Sequence, residues 1–242
     1  PGWKYRLRHI PLILRILAVI LLIAGLARPR KGSVISRQIT NGVAIQMVID
    51  KSGSMRQLMN FGNRQLSRLD VVKEVFNQFV SGRLTATGKP RGNDLIGITS
   101  FSGTVEFNCP LTLEHSNFKQ FLDAIEVYDY EKVYKTIGQS MSREELEQFK
   151  QYAQISQLTA IGDALYYTTL KMIEADKYYK NSRKTNFKIK TKIIILLTDG
   201  QNTYGPPPLS GAELAAANGV KVYTIGIGSK RGGQYIDDPI FG

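Results

Sequence analysis

The segment KTKIIILLTD, residues 190–199, narrows the folding options more than any other part of the chain. Five consecutive aliphatic side chains, Ile193 to Leu197, run into a carboxylate at Asp199. A run this short and uniformly apolar is expected to be a strand covered on both faces, as central strands of parallel sheets are. Parallel neighbours need crossover connections, so amphipathic helices should lie between the strands.

The rest of the chain from Gly42 onward fits that demand. VAIQMVID (43–50) and NDLIGITSF (93–101) read as strands, and VKVYTIGIG (220–228) as another. SRLDVVKEVFNQFVSGR (67–83) places Leu69, Val72, Val75, Phe76, Phe79 and Val80 at helical spacing. SNFKQFLDAIE (116–126), AIGDALYYTTLKMIEAD (160–176) and GAELAAANG (211–219) read as further helices, the last stopped by Gly219. TVEF (104–107), after the tight Ser102-Gly103 turn, is expected to be an antiparallel edge. The fold class is therefore α/β, a doubly wound, mostly parallel, Rossmann-like sheet over residues 41–235. Residues 127–157 read as an insertion with one helix, SREELEQFKQYAQ (142–154), opened by a capping box at Ser142 and Glu145.

The first forty residues are different in kind. IPLILRILAVILLIAGLA (10–27) holds one charge, Arg15, and would span roughly 27 Å as a helix. With residues 1–9 as a basic juxtamembrane segment carrying Trp3 and Tyr5, it reads as a transmembrane helix. A cleaved signal peptide is the alternative, since the uninterrupted apolar core from Ile16 is short and small residues follow. Basic residues flank both ends, so charge does not orient the segment. Residues 28–40 are the linker, and 236–242 begin a further extension.

Charge bears on partners through its distribution. The net charge is +12, and Lys4, Arg6, Arg8, Arg15, Arg28, Arg30, Lys31 and Arg37 supply eight of it with no acidic residue among positions 1–40. The domain itself is nearly balanced, which argues against nucleic acid as a partner. The basic run from Lys177 to Lys192 reads as a solvated loop, with a phosphate or lipid headgroup site as the alternative. The single cysteine, Cys109, excludes an internal disulfide and a four-cysteine zinc site, and is expected to be a small packed residue.

Sites in doubly wound sheets lie beyond the carboxyl ends of the strands. Three short sequences stand there. Asp50-Lys51-Ser52-Gly53-Ser54 leaves the first strand, Thr159 precedes the 160–176 helix, and Thr198-Asp199-Gly200 ends the apolar strand. Asp50, Ser52, Ser54, Thr159 and Asp199 are all hard oxygen donors, suited to magnesium, manganese or calcium and unsuited to zinc or copper. Gly53 is expected to let the backbone turn sharply between the two serines.

This Asp-x-Ser-x-Ser, Thr and Asp set resembles the metal-ion-dependent adhesion site (MIDAS) of von Willebrand factor A (VWA) domains and integrin I domains. The resemblance implies that Ser52, Ser54 and sometimes Thr159 bind the metal directly, with Asp50 and Asp199 acting largely through water. Neutral hydroxyls next to the cation leave much of its charge for a carboxylate of a partner protein. Ala27-Arg28-Pro29, Thr159-Ala160-Ile161-Gly162-Asp163-Ala164, Gly226-Ile227-Gly228 and Asp238-Pro239-Ile240-Phe241-Gly242 resemble the membrane-anchored Bat (Bacteroides aerotolerance) family. That family implies sibling Bat proteins and a MoxR-type AAA+ ATPase as partners, a bacterial inner membrane, and a VWA domain on its periplasmic side. It departs from this chain in having Arg where Lys51 stands and a shorter segment at 127–157. It also continues past Gly242 into a helix and a further anchor, so a longer protein is expected.

Duller readings exist for single residues. Asp50 and Asp199 are candidate caps of neighbouring turns, and Thr159 a candidate N-cap. Tyr166, Tyr167, Tyr178 and Tyr179 are expected to be helix packing. Catalysis is not expected, because the only histidines are His9 and His115 and neither accompanies Ser52 or Ser54 as a base. The remaining rival is a scaffold whose metal site is purely structural.

Overall fold

The computed structural model describes residues 10–26, 40–83, 92–181 and 187–228. The chain divides into two units, 1–38 and 39–242. The first contains α1 (Ile10–Leu26), 17 residues long, whose side chains from Ile10 to Ile23 are exposed. Among the described residues no helix is long and apolar enough to cross a membrane. At ~1.5 Å per residue α1 reaches roughly 26 Å, a few ångströms less than the ~30 Å of a hydrocarbon core. Of the segment expected to span a membrane at 10–27, residues 10–26 form a helix; residues 1–9, Ala27 and the linker as far as residue 39 lie outside the described residues, as does 236–242.

The second unit is a five-stranded sheet in the order β5-β4-β1-β6-β7, formed by β1 (Thr40–Asp50), β4 (Leu95–Phe101), β5 (Val105–Thr112), β6 (Phe187–Thr198) and β7 (Val220–Gly226). β1 pairs in parallel with β4 and β6, and β6 with β7, whereas β5 runs antiparallel to β4 as the expected edge. Alternate residues of β1 serve opposite faces. Ile45, Met47 and Ile49 meet Leu69, Val72 and Phe76 of α2 (Arg68–Val80) and Phe118 and Leu122 of α3 (Phe118–Asp123). Ala44 and Val48 meet Ile161, Leu165 and Met172 of α6 (Ile161–Asn181) and Ala215 of α7 (Pro208–Ala217).

β1, not the more apolar β6, is the central strand. Ile193 and Ile195 of β6 are only partly buried, because they stand beside Ile45 and Met47 on a face whose described helices cover β1, β4 and β5. β2 (Leu58–Phe61) and β3 (Arg64–Ser67) form a separate hairpin that the hydrophobic pattern did not reveal. Its signal was Gly62-Asn63, a two-residue turn with Gly62 at φ +60. Three of the four tyrosines read as packing residues, Tyr166, Tyr167 and Tyr178, are exposed; Tyr179 alone is partly buried, its ring against Phe187. In the basic run, Lys180 and Lys192 pair with Asp176, and residues 182–186 lie outside the description. Cys109 is buried and free, as expected, and burial pushes its thiol up.

The insertion holds two helices, α4 (Tyr130–Ile137) and α5 (Arg143–Gln157). Both capping-box bonds are present, Glu145 N donating to Ser142 Oγ at 3.3 Å and Ser142 N to Glu145 Oε2 at 2.7 Å. Tyr128, Tyr130, Phe149 and Tyr152 form its aromatic centre. A Cβ on Gly103 would stand 2.2 Å from Ile155 O, so α5 lies directly on the β4–β5 turn.

Gly162, in the first turn of α6, is similarly crowded, since a Cβ there would meet Pro206 O at 2.1 Å. Gly162→Ala should therefore destabilise the domain by about 1–3 kcal/mol in urea unfolding with an unchanged slope. An unaltered midpoint would show that the 206–207 loop yields freely.

Candidate metal centre

The site begins with a carboxylate that has no exposure. Asp50 ends β1; Ser52 N donates to its Oδ1 at 2.8 Å, which folds the loop back, and Thr198 Oγ1 donates to its Oδ2 at 2.6 Å. Ser52, also buried, leads into a 3-10 turn over Gly53–Arg56. Ser52 Oγ and Ser54 Oγ lie 3.1 Å apart, and Ser54 Oγ donates to Asp199 Oδ1 at 2.7 Å. Four of the five sequence-derived residues, from the ends of two strands, are thus linked in one chain of three hydrogen bonds.

Thr159 joins them from the third loop. It is buried, its N–H donates to Thr203 Oγ1 at 2.9 Å, and its carbonyl accepts from Thr203 N and Tyr204 N. A Cβ on Gly200 would stand 3.9 Å from Thr159 Oγ1, which places the hydroxyl at the Asp199-Gly200 turn. The capping alternative fails for Thr159: Asn202 Oδ1 accepts from Ile161 N and Gly162 N, at 2.7 and 3.3 Å. Among the described residues Thr159 Oγ1 makes no hydrogen bond.

Gly53 does a different job from the one expected. It is not among the glycines with positive φ; a Cβ there would instead meet Gln157 Oε1 at 2.4 Å. The Asp50–Ser54 loop is therefore in contact with the last residue of α5. Gln157 Nε2 in turn donates to Tyr128 O at 3.1 Å, and Arg56 Nη2 donates to the same carbonyl. Beside this junction lies a groove of about 960 Å³ lined by Lys51, Arg56, Leu58, Glu126, Tyr128 and Lys132, among others.

Electrostatics favour a cation. Burial pushes the Asp50 carboxyl above its ordinary value, hydrogen bonds from Thr198 and Ser52 pull it back, and the charge of Asp199 adds to the rise. Among the described residues no lysine or arginine pairs with Asp50; its neighbour Lys51 goes to Glu106 at 2.7 Å. Asp199, with a fully buried side chain, is paired through Oδ2 with Arg68 Nη1. Sequence reasoning missed Arg68, Thr198, Asn202 and Thr203. Arg68 left one trace, a cation in the first turn of a helix, where cations are disfavoured.

The donors fit a hard divalent ion. The set offers two carboxylates and three hydroxyls, with no His or Cys among them. His115 stacks on Phe118 with ring centroids 5.0 Å apart and bonds Thr112 O.

Residues 45–201 match the model of the von Willebrand factor type A domain, and the chain belongs to that family. It is 28% identical over 244 residues to a "UPF0353 protein" of Mycolicibacterium paratuberculosis, covering 96% of this chain and 60% of that protein. The chain thus spans well under two thirds of that relative. Among solved structures it is similar to an aerotolerance-related membrane protein from Bacteroides fragilis carrying multiple mutations to serines, with TM-score 0.52 and 21% identity over 82% of this chain and 74% of that one. It also matches BatB from Bacteroides thetaiotaomicron, with TM-score 0.49 and 23% identity over 82% and 77%.

An ionised Asp50 with a raised pKa opposes folding at neutral pH, because the folded state holds its proton more tightly than the unfolded chain does. In chelator at pH 7, Asp50→Asn should therefore melt above the wild type, by roughly 2–4 °C per 1 kcal/mol relieved. The gap should close as pH falls through the raised Asp50 value and both forms become neutral. A variant that melts lower throughout would show that the hydrogen bonds to the carboxylate outweigh its desolvation.

Proposed function

We propose that this domain is a non-catalytic protein-interaction module that captures acidic side chains of a partner through a divalent metal, Mg2+ or alternatively Mn2+ or Ca2+. The observation that carries the reading is the convergence of Ser52, Ser54 and Asp199 oxygens beside a buried Asp50 that pairs with no lysine or arginine among the described residues. Ser52, Ser54 and Thr159 would hold the ion directly, and Asp50 and Asp199 through water. The metal would supply a Lewis-acidic position for a carboxylate, while the chain's residues orient it and keep it electropositive. Lys132 lines the adjoining groove, where it would meet an acidic partner.

The similarity to aerotolerance-related proteins supports placing the chain in a Bat/MoxR-type envelope stress or complex-assembly system at a bacterial inner membrane. There α1 would be the anchor, the domain periplasmic, and the partners sibling Bat proteins or a MoxR-type AAA+ ATPase. Nucleic acid has no place in this reading. A purely structural metal is the second reading, favoured by the bonds that already tie the ends of β1 and β6 together, Thr198 to Asp50 and Ser54 to Asp199.

Mg2+ and Mn2+ titrated calorimetrically into the full chain in non-ionic detergent should bind saturably, and the double change Ser52→Ala with Ser54→Ala should abolish binding. No binding by the wild type would sink the metal reading. Envelope proteins recovered with the full chain in Mg2+ should be lost in chelator and with Asp199→Ala; recovery indifferent to both would favour the structural reading. In a bacterial host the chain should stay with the membrane fraction through an alkaline carbonate wash, and release into the supernatant would remove the anchor.

A further inference from the structure

Asp199 is matched by a cation of the chain's own, and that cation is poorly placed by every other measure. Arg68 is the first residue of α2, following Ser67, whose hydroxyl accepts from Asp70 N at 3.0 Å. The first turn of a helix carries partial positive charge, so its own helix disfavours a guanidinium there. The side chain is nearly buried, and its Nε is buried with no hydrogen-bond partner, a second unfavourable feature. Among the described residues, the ion pair with Asp199 Oδ2 is the contact that offsets these costs.

The same carboxylate belongs to the set that would hold a divalent ion. Two cations drawing on one buried carboxylate weaken each other's hold, and their mutual repulsion is poorly screened away from water. We infer that Arg68 competes with the divalent metal for Asp199, lowering metal affinity while stabilising the site when no metal is bound. This rests on the reading of Asp50, Ser52, Ser54, Thr159 and Asp199 as a metal site. Metal entry then loosens a contact at the start of α2. Arg68 N donates to Gln57 O at 2.9 Å, so the loosening bears directly on the segment between the metal loop and the β2–β3 hairpin.

The test is Mn2+ titration of the full chain in non-ionic detergent, for wild type, Arg68→Gln and Arg68→Lys, with thermal melting of each in chelator. Arg68→Gln should bind Mn2+ at least about ten-fold more tightly, yet melt lower than wild type in chelator; Arg68→Lys should fall between. The opposite signs of the two changes are the signature, since a residue that merely supports the fold would weaken both. Adding Ser52→Ala and Ser54→Ala to Arg68→Gln should abolish the gain, fixing it to this site. Affinity in Arg68→Gln equal to or below wild type overturns the competition and makes Arg68 a positioning residue for Asp199. If Arg68→Gln does not fold, Arg68→Lys decides by the same criterion. Absence of binding in all three proteins overturns the metal reading and this one with it, whereas equal binding in all three overturns this one alone.

Discussion

At the carboxyl end of the central strand the Asp50 carboxylate, without solvent exposure, is held by one amide and one hydroxyl. The amide belongs to Ser52 and sets the path of the metal loop; the hydroxyl belongs to Thr198 and ties β1 to β6. Nearly everything at that edge follows from satisfying this group. The loop that reaches back to it brings Ser52 and Ser54 together, and the strand that reaches across to it ends one residue before Asp199. A charge so placed disfavours the fold unless something positive approaches, and proteins retain such charges where binding needs them.

The alternation of apolar strands and amphipathic helices was legible because each element repeats one simple period. The five donor residues were legible because their chemistry is homogeneous and strand ends are where parallel sheets place their sites. The residues that surround them were not. Asn202 caps α6 from a loop more than forty positions further along the chain, and Arg68 meets Asp199 across 131 positions. No local pattern encodes such meetings. β6 was taken as central from its composition, but strand order depends on which helices cover which face, and that is decided by contacts between elements. The role of Gly53 was misjudged for the same reason, since its close neighbour, the Gln157 side chain, comes from the insertion.

The site also divides labour between the two sides of the sheet edge. Thr159 is steadied by Thr203, and the start of α6 by Asn202, both in the loop after β6, while Ser52 and Ser54 ride on a 3-10 turn that contacts the insertion and α2. Asp199 joins the two, bonded to Ser54 on one side and to Arg68 at the start of α2.

The close approach of α5 to Gly103 carries a consequence for how this chain can change. While the insertion keeps its position, residue 103 is confined to glycine or to a costly rearrangement, because the atom in the way is the backbone carbonyl of Ile155. At Gly53 the neighbour is the tip of the Gln157 side chain, which can rotate away, so that position tolerates a side chain more readily. A descendant that trimmed the insertion would free position 103, and one that filled position 103 first would have to lift the insertion away. Loop length and one glycine in the β4–β5 turn therefore behave as a single inherited character.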